Sequence, residues 1–213
     1  LGDNVEITAT GADAYAIFAS TEQQGTYTEN VRPGKVYLEG GAVLRAENSA
    51  NVIQAKGKDS VIMSGYLNKP EIPAGYAPGQ DVNIDDDIIN PSSGKFDIIG
   101  KISAVEGGKI SLNMDNNSSF TGSTAIDEGV NSEINLKISG SDSIWVMDED
   151  SSLSSLELSD SGTLSFYKDL NSDPSEYTLK GDVNNFGGII SISSLNGNGF
   201  GTFTIDGNYN GKN

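Results

Sequence analysis

Short apolar steps, most of them with one residue between two apolar ones, recur along the chain. In the first half they include Val5-Glu-Ile7, Val36-Tyr-Leu38, Val43-Leu44, Val52-Ile53 and Val61-Ile-Met63. Alternate side chains of a strand point to the same face, so each step predicts a strand of about three to five residues with one buried face. The pattern therefore predicts an all-β protein built from many short strands.

The steps acquire a regular spacing in the second half. Ile110-Ser-Leu112, Ile134-Asn-Leu136 and Leu156-Glu-Leu158 begin 24 and 22 residues apart, and the aromatic residues Phe120, Trp145, Phe166 and Phe186 follow one another at 25, 21 and 20. Such spacing is typical of a coiled sheet whose successive turns place like residues above one another. We therefore predict a parallel β-helix, a three-sided solenoid in which the four aromatic rings form an interior stack.

Two alternatives remain open from the pattern. Many short strands also suit a β-sandwich or an up-and-down barrel, and four hairpin-type pairs lie near the C-terminus: Asn196-Gly197, Asn198-Gly199, Asp206-Gly207 and Asn210-Gly211. Trp145, the one tryptophan, could be a sugar-stacking platform instead of a core residue. The pattern favours the β-helix and the interior stack.

One segment, residues 66–96, interrupts the repeat. It contains four of the six prolines, the tyrosines Tyr66 and Tyr76, and the acidic run Asp85, Asp86 and Asp87. Proline cannot donate a hydrogen bond to a strand ladder, so we predict an extended loop that protrudes between two turns of the helix. Long loops on rigid scaffolds often bind ligands, which makes those five residues candidate ligand-binding residues, although a tolerated insertion without a role is equally compatible.

Composition and charge narrow the possible functions. The chain has 213 residues, no histidine, no cysteine and a formal charge of −17, and 73 residues are Gly, Ser or Asn. The absence of histidine and cysteine excludes disulfides, thiolate nucleophiles, histidine bases and metal sites built on those residues. A strongly acidic surface makes nucleic acid an improbable partner, because binding there depends on phosphate neutralisation by Lys and Arg.

The remaining candidate chemistry rests on carboxylates. β-Helices often serve as glycan-cleaving enzymes, so Asp85 to Asp87 and Asp148, Glu149 and Asp150 are candidate acids or calcium ligands. Adjacent acids on a strand point to opposite faces, and neither run fits a calcium-loop pattern. Solvated turn acids are the favoured interpretation, so we predict no catalytic residue, no metal and no cofactor, with a carbohydrate-active enzyme as the alternative.

The second half resembles a known family at several successive steps. These steps are Ser143-Ile-Trp145, Ser151-Ser-Leu153-Ser-Ser-Leu156-Glu-Leu158, Thr163-Leu-Ser-Phe166, Tyr177-Thr-Leu179, Gly187-Gly-Ile-Ile-Ser-Ile192 and Phe203-Thr-Ile205-Asp-Gly207. In order and approximate spacing they resemble the C-terminal passenger region of autotransporters of the AIDA and pertactin-like group. The resemblance covers residues 107–213. The closing segment around residues 196–200 is shorter than in the family, and the 66–96 insertion has no counterpart in it.

The resemblance implies a right-handed β-helix exposed on the surface of a Gram-negative bacterium, with an outer-membrane β-barrel C-terminal to Asn213. It also implies two regions: passenger rungs over residues 1–106, and rungs with an autochaperone-like section over residues 107–213. The missing cysteines suit export through a narrow pore.

Two functions follow as expectations. The first is a non-enzymatic adhesin that binds a host-surface glycan, an extracellular-matrix protein or other copies of itself. The second is an export and folding module, with Trp145 and the aromatic series dominating its stability.

Overall fold

The structure, a computed structural model, describes residues 5–11, 14–21, 33–46, 51–67, 89–115, 117–127, 130–166, 176–192 and 202–212. Over these residues it contains twenty strands: β1 (Val5–Ala9), β2 (Ile17–Ser20), β3 (Lys35–Leu38), β4 (Ala42–Ala46), β5 (Asn51–Lys56), β6 (Val61–Leu67), β7 (Ile89–Pro91), β8 (Phe96–Ile99), β9 (Lys101–Val105), β10 (Lys109–Met114), β11 (Ser119–Thr121), β12 (Thr124–Ile126), β13 (Glu133–Ser139), β14 (Ile144–Met147), β15 (Ser151–Ser159), β16 (Thr163–Phe166), β17 (Glu176–Phe186), β18 (Ile189–Ile192), β19 (Thr202–Asp206) and β20 (Tyr209–Lys212). The prediction of an all-β protein is confirmed.

The strands form three sheets that the chain visits in turn. A seven-stranded sheet has the order β1-β4-β8-β11-β14-β16-β18, and a four-stranded sheet has the order β12-β9-β5-β2. A nine-stranded sheet has the order β19-β17-β15-β13-β10-β6-β3, with β20 beside β17 and β7 beside β6. Every pairing of named strands is parallel except that of β6 with β7. These parallel sheets are compatible with a solenoid.

The hairpin alternative is contradicted at the positions that the structure describes. The Asp206-Gly207 pair separates β19 from β20, but both strands run parallel to β17 and do not pair with each other. Asn210-Gly211 lies within β20. The pairs at residues 196–199 lie outside the described residues.

The apolar residues that alternate along the strands form one core. The cluster extends from Ile17 through Leu44, Ile98 and Trp145 to Val183. The predicted boundary at residues 106 and 107 falls in the turn between β9 and β10, and the cluster continues on both sides of it. The seven- and nine-stranded sheets also continue across this turn.

The predicted alignment of the repeats is correct at its first step. Ile110 pairs with Ile134 and Leu112 with Leu136, as the 24-residue spacing indicates. At the next step the alignment differs, because Leu156 pairs with Leu136 and not with Ile134. A shift of two residues leaves the same side chains facing inward, so the apolar pattern alone fits both alignments.

Serine residues occupy many of the turns between sheets, and nine of the eleven buried polar residues in the described part of the chain are serines. The Ser118 hydroxyl accepts a hydrogen bond from the backbone N–H of Phe96, at 3.0 Å, and the Ser143 hydroxyl accepts one from the N–H of Ser118, at 3.3 Å. Each serine thus satisfies a backbone donor of the preceding repeat. Residues 141–143 and 160–162 lie in such turns, before β14 and β16.

Glycine is required where neighbouring repeats come closest. A Cβ atom at Gly162 would lie 2.2 Å from the carbonyl oxygen of Ile138. A Cβ atom at Gly108 would lie at the same distance from the carbonyl oxygen of Ala55. Backbone therefore occupies the space that any other side chain would need.

The four-stranded sheet contains no strand after β12 among the described residues. The backbone N–H groups of Thr124 and Ile126 donate to the hydroxyls of Ser151 and Ser152, at 3.2 and 2.9 Å, where a further strand would pair. Beyond this point the strands of the nine-stranded sheet are longer: β15 has nine residues and β17 has eleven. The second half is thus organised mainly by two sheets.

Candidate binding surfaces

The predicted loop of residues 66–96 is too long at both ends, because residues 66 and 67 belong to β6, residues 89–91 form β7 and Phe96 begins β8. β6 extends beyond its parallel partners and pairs antiparallel with β7, with Gly65 opposite Pro91, Tyr66 opposite Asn90 and Leu67 opposite Ile89. Tyr76, Asp85, Asp86 and Asp87 lie outside the described residues, so their role as ligand-binding residues stays a prediction. For Tyr66 the structure describes the backbone position within β6.

Two of the four residues of the predicted aromatic stack lie together inside the core. Phe120 and Trp145 are fully buried and opposite each other in adjacent strands. Their ring centroids are 5.3 Å apart with the planes 16° from parallel. The indole Nε1 of Trp145 donates to the carbonyl oxygen of Gly122 at 2.9 Å. This burial contradicts the alternative of Trp145 as a sugar-stacking platform.

The prediction of a four-ring stack is wrong for Phe166 and Phe186. Phe166 is buried, but it pairs with Met147 and packs its ring against Tyr177 and Phe203, with centroids 6.2 and 3.9 Å away. Phe186 lies in β17 of the nine-stranded sheet and is 42% exposed. Val183 of the same strand points into the core. Because side chains alternate along a strand, Phe186, three positions later, points to the opposite face.

The acidic run Asp148, Glu149 and Asp150 lies in the turn between β14 and β15. Although Asp148 is exposed overall, partial desolvation raises the pKa of its carboxyl, a backbone hydrogen bond opposes the increase, and Glu149 adds to it. Partial burial and the three acids raise the pKa of Tyr177. Asp150 accepts a hydrogen bond from the backbone N–H of Thr178 at 2.8 Å. The run is therefore a concentrated negative charge beside the Phe166, Tyr177 and Phe203 rings.

This acidic run has no metal-binding arrangement. Within the described residues, no group of three or more acidic, histidine or cysteine side chains is placed to hold a metal ion. The structure gives the three acids contacts to the protein itself, such as the 3.5 Å contact between the Ser123 hydroxyl and a Glu149 oxygen.

The outer side of the nine-stranded sheet carries charged and amide side chains in register. Lys109 contacts Glu133 and Lys137 contacts Glu157, each pair 2.7 Å apart on adjacent strands. Further along the sheet, the Asn210 amide donates to the Asn184 oxygen at 3.1 Å. This side is polar, with its charges arranged in neighbouring pairs.

The outer side of the seven-stranded sheet is different. From β11 to β18 its outward residues form two columns, none of them charged, and we call these eight residues the uncharged face. They are Ser119, Thr121, Ile144, Val146, Thr163, Ser165, Ile189 and Ser191. All eight are partly or fully exposed. Charged residues of this sheet side begin at the adjacent strand β8, where Asp97 accepts a hydrogen bond from the Ser119 hydroxyl at 2.9 Å and contacts Arg45 of β4 at 2.7 Å.

Sequence reasoning did not identify the uncharged face. The four strands that form it are separated by turns of different length, and only the pairing shows that their alternate residues share one surface. The available signal was the lack of charge on either side of the inward residue of each step, for example Ser119 and Thr121 beside Phe120, or Thr163 and Ser165 beside Leu164.

No family model, curated protein or solved structure matches this chain. Over the described residues, the structure has no helix that is both long enough and apolar enough to cross a membrane.

Proposed function

We propose that the protein is part of an autotransporter passenger that acts as a non-enzymatic adhesin on the surface of a Gram-negative bacterium. In this proposal the three parallel sheets belong to a right-handed β-helix, the chain between β6 and β7 protrudes from it as a loop, and residues 107–213 assist folding and export. The barrel that anchors such a passenger would follow Asn213.

The observation that carries the proposal is the regular stacking of parallel strands around one core. The pairs Ile110–Ile134, Phe120–Trp145 and Leu136–Leu156 place like residues above one another in successive repeats. Each repeat buries apolar surface only against its neighbours, which produces an extended scaffold with long outer faces. Such a scaffold suits the presentation of surfaces and loops to a partner.

The β6–β7 pairing supports the part of the proposal that concerns the loop. The antiparallel pairs at Gly65, Tyr66 and Leu67 fix where the intervening residues leave the sheet and return to it. A loop with a fixed base loses less conformational freedom on binding than one attached through flexible ends. The proposed ligand is a host-surface glycan or an extracellular-matrix protein.

Surface display tests this proposal. The full chain would be fused to an outer-membrane barrel, and bacteria carrying it would be tested for antibody labelling, adherence to host cells and binding to immobilised matrix proteins. A matched variant would replace residues 68–88 with a short Gly-Ser linker and leave β6 and β7 intact. We expect surface labelling for both proteins and loss of adherence for the variant. Equal adherence of the two would refute the loop as the binding element, and adherence no greater than that of the barrel alone would refute the adhesin function.

The export role has its own test. If residues 107–213 drive folding outside the cell, Trp145→Ala should reduce the amount of passenger at the surface, while Phe186→Ala, which changes an exposed ring, should not. Equal surface amounts for the two variants would contradict the export role without bearing on adhesion.

A further inference from the structure

The uncharged face combines apolar groups with small hydroxyl side chains. Ile144, Val146 and Ile189 contribute aliphatic surface, and Ile189 is 49% exposed. The remaining positions are serine or threonine. A surface of this kind binds through apolar contact and lacks charged groups of its own that could pair with a ligand.

Acidic residues border this face at both ends of β14, its second strand. Asp142 lies in the turn that precedes β14, and Asp148 and Glu149 follow β14. Asp160 and Asp150 accept hydrogen bonds from Ser139 and Thr178 of the nine-stranded sheet. Between residues 117 and 166 the one cationic residue that the structure describes is Lys137, which lies on the nine-stranded sheet and contacts Glu157. The two ends of β14 are therefore negative, and on the same side of the sheet Arg45 is paired with Asp97 of β8.

We propose that the uncharged face binds a cationic amphipathic helical peptide whose apolar side lies on the sheet. Lysine or arginine residues on the two flanks of the helix would approach the acidic borders. This arrangement matches apolar surface with apolar surface and positive charge with negative charge.

The dimensions agree with this ligand. From Asp142 to Asp148 the chain advances six residues, or roughly 20 Å in a strand. A helix is about 10–12 Å across with its side chains, and lysine side chains extend beyond that on either flank. The four strands β11, β14, β16 and β18 span roughly 14–19 Å across the sheet, the length of about 10–13 helical residues.

The charge of the molecule favours this ligand over a second copy of the chain. Two copies that met through the uncharged face would bring four acidic borders together, and each copy has a formal charge of −17. Like charges across an interface oppose association. Added salt would strengthen pairing of two acidic copies, whereas it weakens attraction between an acidic protein and a cationic peptide.

The test uses the purified full chain and a synthetic helix of about 14 residues, with leucines on one face and lysines on both flanks. Fluorescence anisotropy of the labelled peptide measures binding from 20 to 300 mM NaCl. We expect an affinity in the micromolar range at low salt that falls about tenfold or more across this series. Binding that is unchanged or stronger at high salt would overturn the proposal.

Two control peptides separate the contributions of shape and charge. A scrambled peptide keeps the composition but has no apolar side, and a third peptide has glutamate in place of lysine. We expect severalfold weaker binding of the scrambled peptide and none of the acidic one. Equal binding of the scrambled peptide would show attraction by charge alone, and would refute the role of the face.

Variants locate the site. Val146→Lys adds a charge to the centre of the uncharged face, and Ser111→Lys adds the same charge to the outer side of the nine-stranded sheet as a matched control. We expect an affinity loss of about tenfold or more for Val146→Lys only. Val146→Lys also changes a strand residue and could affect folding. The double variant Asp142→Asn/Asp148→Asn, whose side chains keep nearly the same shape, therefore provides a second measurement, and we expect a severalfold loss of peptide affinity. Equal losses for Val146→Lys and Ser111→Lys, or full affinity of the double variant, would overturn the assignment.

Peptide binding by the uncharged face does not require the protein to be on a cell surface. Peptide binding by the purified chain and adherence of displaying bacteria are separate measurements. A failure of the adherence experiment would not refute peptide binding, and a failure of peptide binding would not refute adhesion. Sedimentation of the purified chain tests whether a second copy occupies the face instead. Self-association that Val146→Lys abolishes would show that the face binds another copy, and would overturn the peptide proposal.

Discussion

Trp145 joins two repeats by two different contacts. Its ring lies parallel to that of Phe120 in the preceding repeat, and its indole N–H donates to the carbonyl oxygen of Gly122. The side chain has no exposed surface. At the scale of single residues, this position therefore combines the largest apolar area of the core with a satisfied polar group.

Removal of this side chain should be costly. We expect Trp145→Ala to lower the free energy of unfolding by about 3–5 kcal/mol, because it leaves a cavity and removes the hydrogen-bond donor for Gly122. Urea denaturation followed by far-ultraviolet circular dichroism measures the change, since the variant has no tryptophan to report fluorescence. Phe186→Ala is the control, and a comparable loss there would contradict the observed difference in burial.

Asp148 should make stability depend on pH. Its pKa is raised in the folded protein, mainly by desolvation and also by Glu149. The folded state therefore binds the Asp148 proton more tightly than the unfolded state does. The stabilisation that results is fully present below the unfolded-state pKa of about 3.9, and it is lost as pH rises through the pKa of the folded state.

The corresponding experiment replaces Asp148 with asparagine. We expect Asp148→Asn to be more stable than the natural protein at pH 7, with the difference vanishing towards pH 3. Asp142→Asn, in another exposed turn, controls for the general benefit of removing one negative charge. A gain for Asp148→Asn that is no larger than the control gain at pH 7 would contradict the raised pKa.

At the scale of strands and turns, the sequence identified element positions better than their alignment. The five apolar steps quoted for the first half all lie in strands, β1 and β3 to β6. Alignment was correct for Ile110 with Ile134 but displaced by two residues for Leu156, and the same displacement separates Phe166 from the Trp145 position. Period-two patterns cannot resolve such shifts, because they preserve which face each side chain occupies.

The end of the four-stranded sheet and the uncharged face were also beyond sequence reasoning. Both depend on which strands become neighbours after turns of unequal length. Ser151 and Ser152 appear as two more serines in a serine-rich chain, and only the structure shows their hydroxyls accepting the backbone donors of β12.

Close contact between repeats predicts the effect of a glycine substitution. Gly162→Ala should lower the free energy of unfolding by about 1–3 kcal/mol, because its Cβ atom would meet the carbonyl oxygen of Ile138 at 2.2 Å. The adjacent Ser161 has a φ of 68°, so Ser161→Gly should leave stability nearly unchanged or slightly higher. Thermal or urea unfolding of the two variants compares them, and equal destabilisation would argue against a steric cause.

Across the whole molecule, negative charge outweighs the attractive pairs. Three partly exposed ion pairs, Arg45–Asp97, Lys109–Glu133 and Lys137–Glu157, connect adjacent strands. Exposed pairs of this kind contribute little to stability individually. The formal charge of −17 opposes the compact state through repulsion among the acids.

Salt should therefore stabilise the protein. We expect the midpoint of thermal unfolding to rise when NaCl increases from 10 to 200 mM, because ions screen the repulsion. Lys137→Met, which removes one ion pair, should show an equal or larger rise. A midpoint that falls with salt would mean that the ion pairs outweigh the net charge.

The antiparallel pairing of β6 with β7 has a consequence for engineering. Because Gly65 to Leu67 lie beside Ile89 to Pro91, the two points of departure from the sheet are neighbours, whatever sequence connects them. Closing a loop between neighbouring ends costs only about 0.6 kcal/mol more for each doubling of its length. Residues 68–88 thus mark a position where a foreign epitope, an affinity tag or a small folded domain could be grafted while the three sheets keep their own contacts.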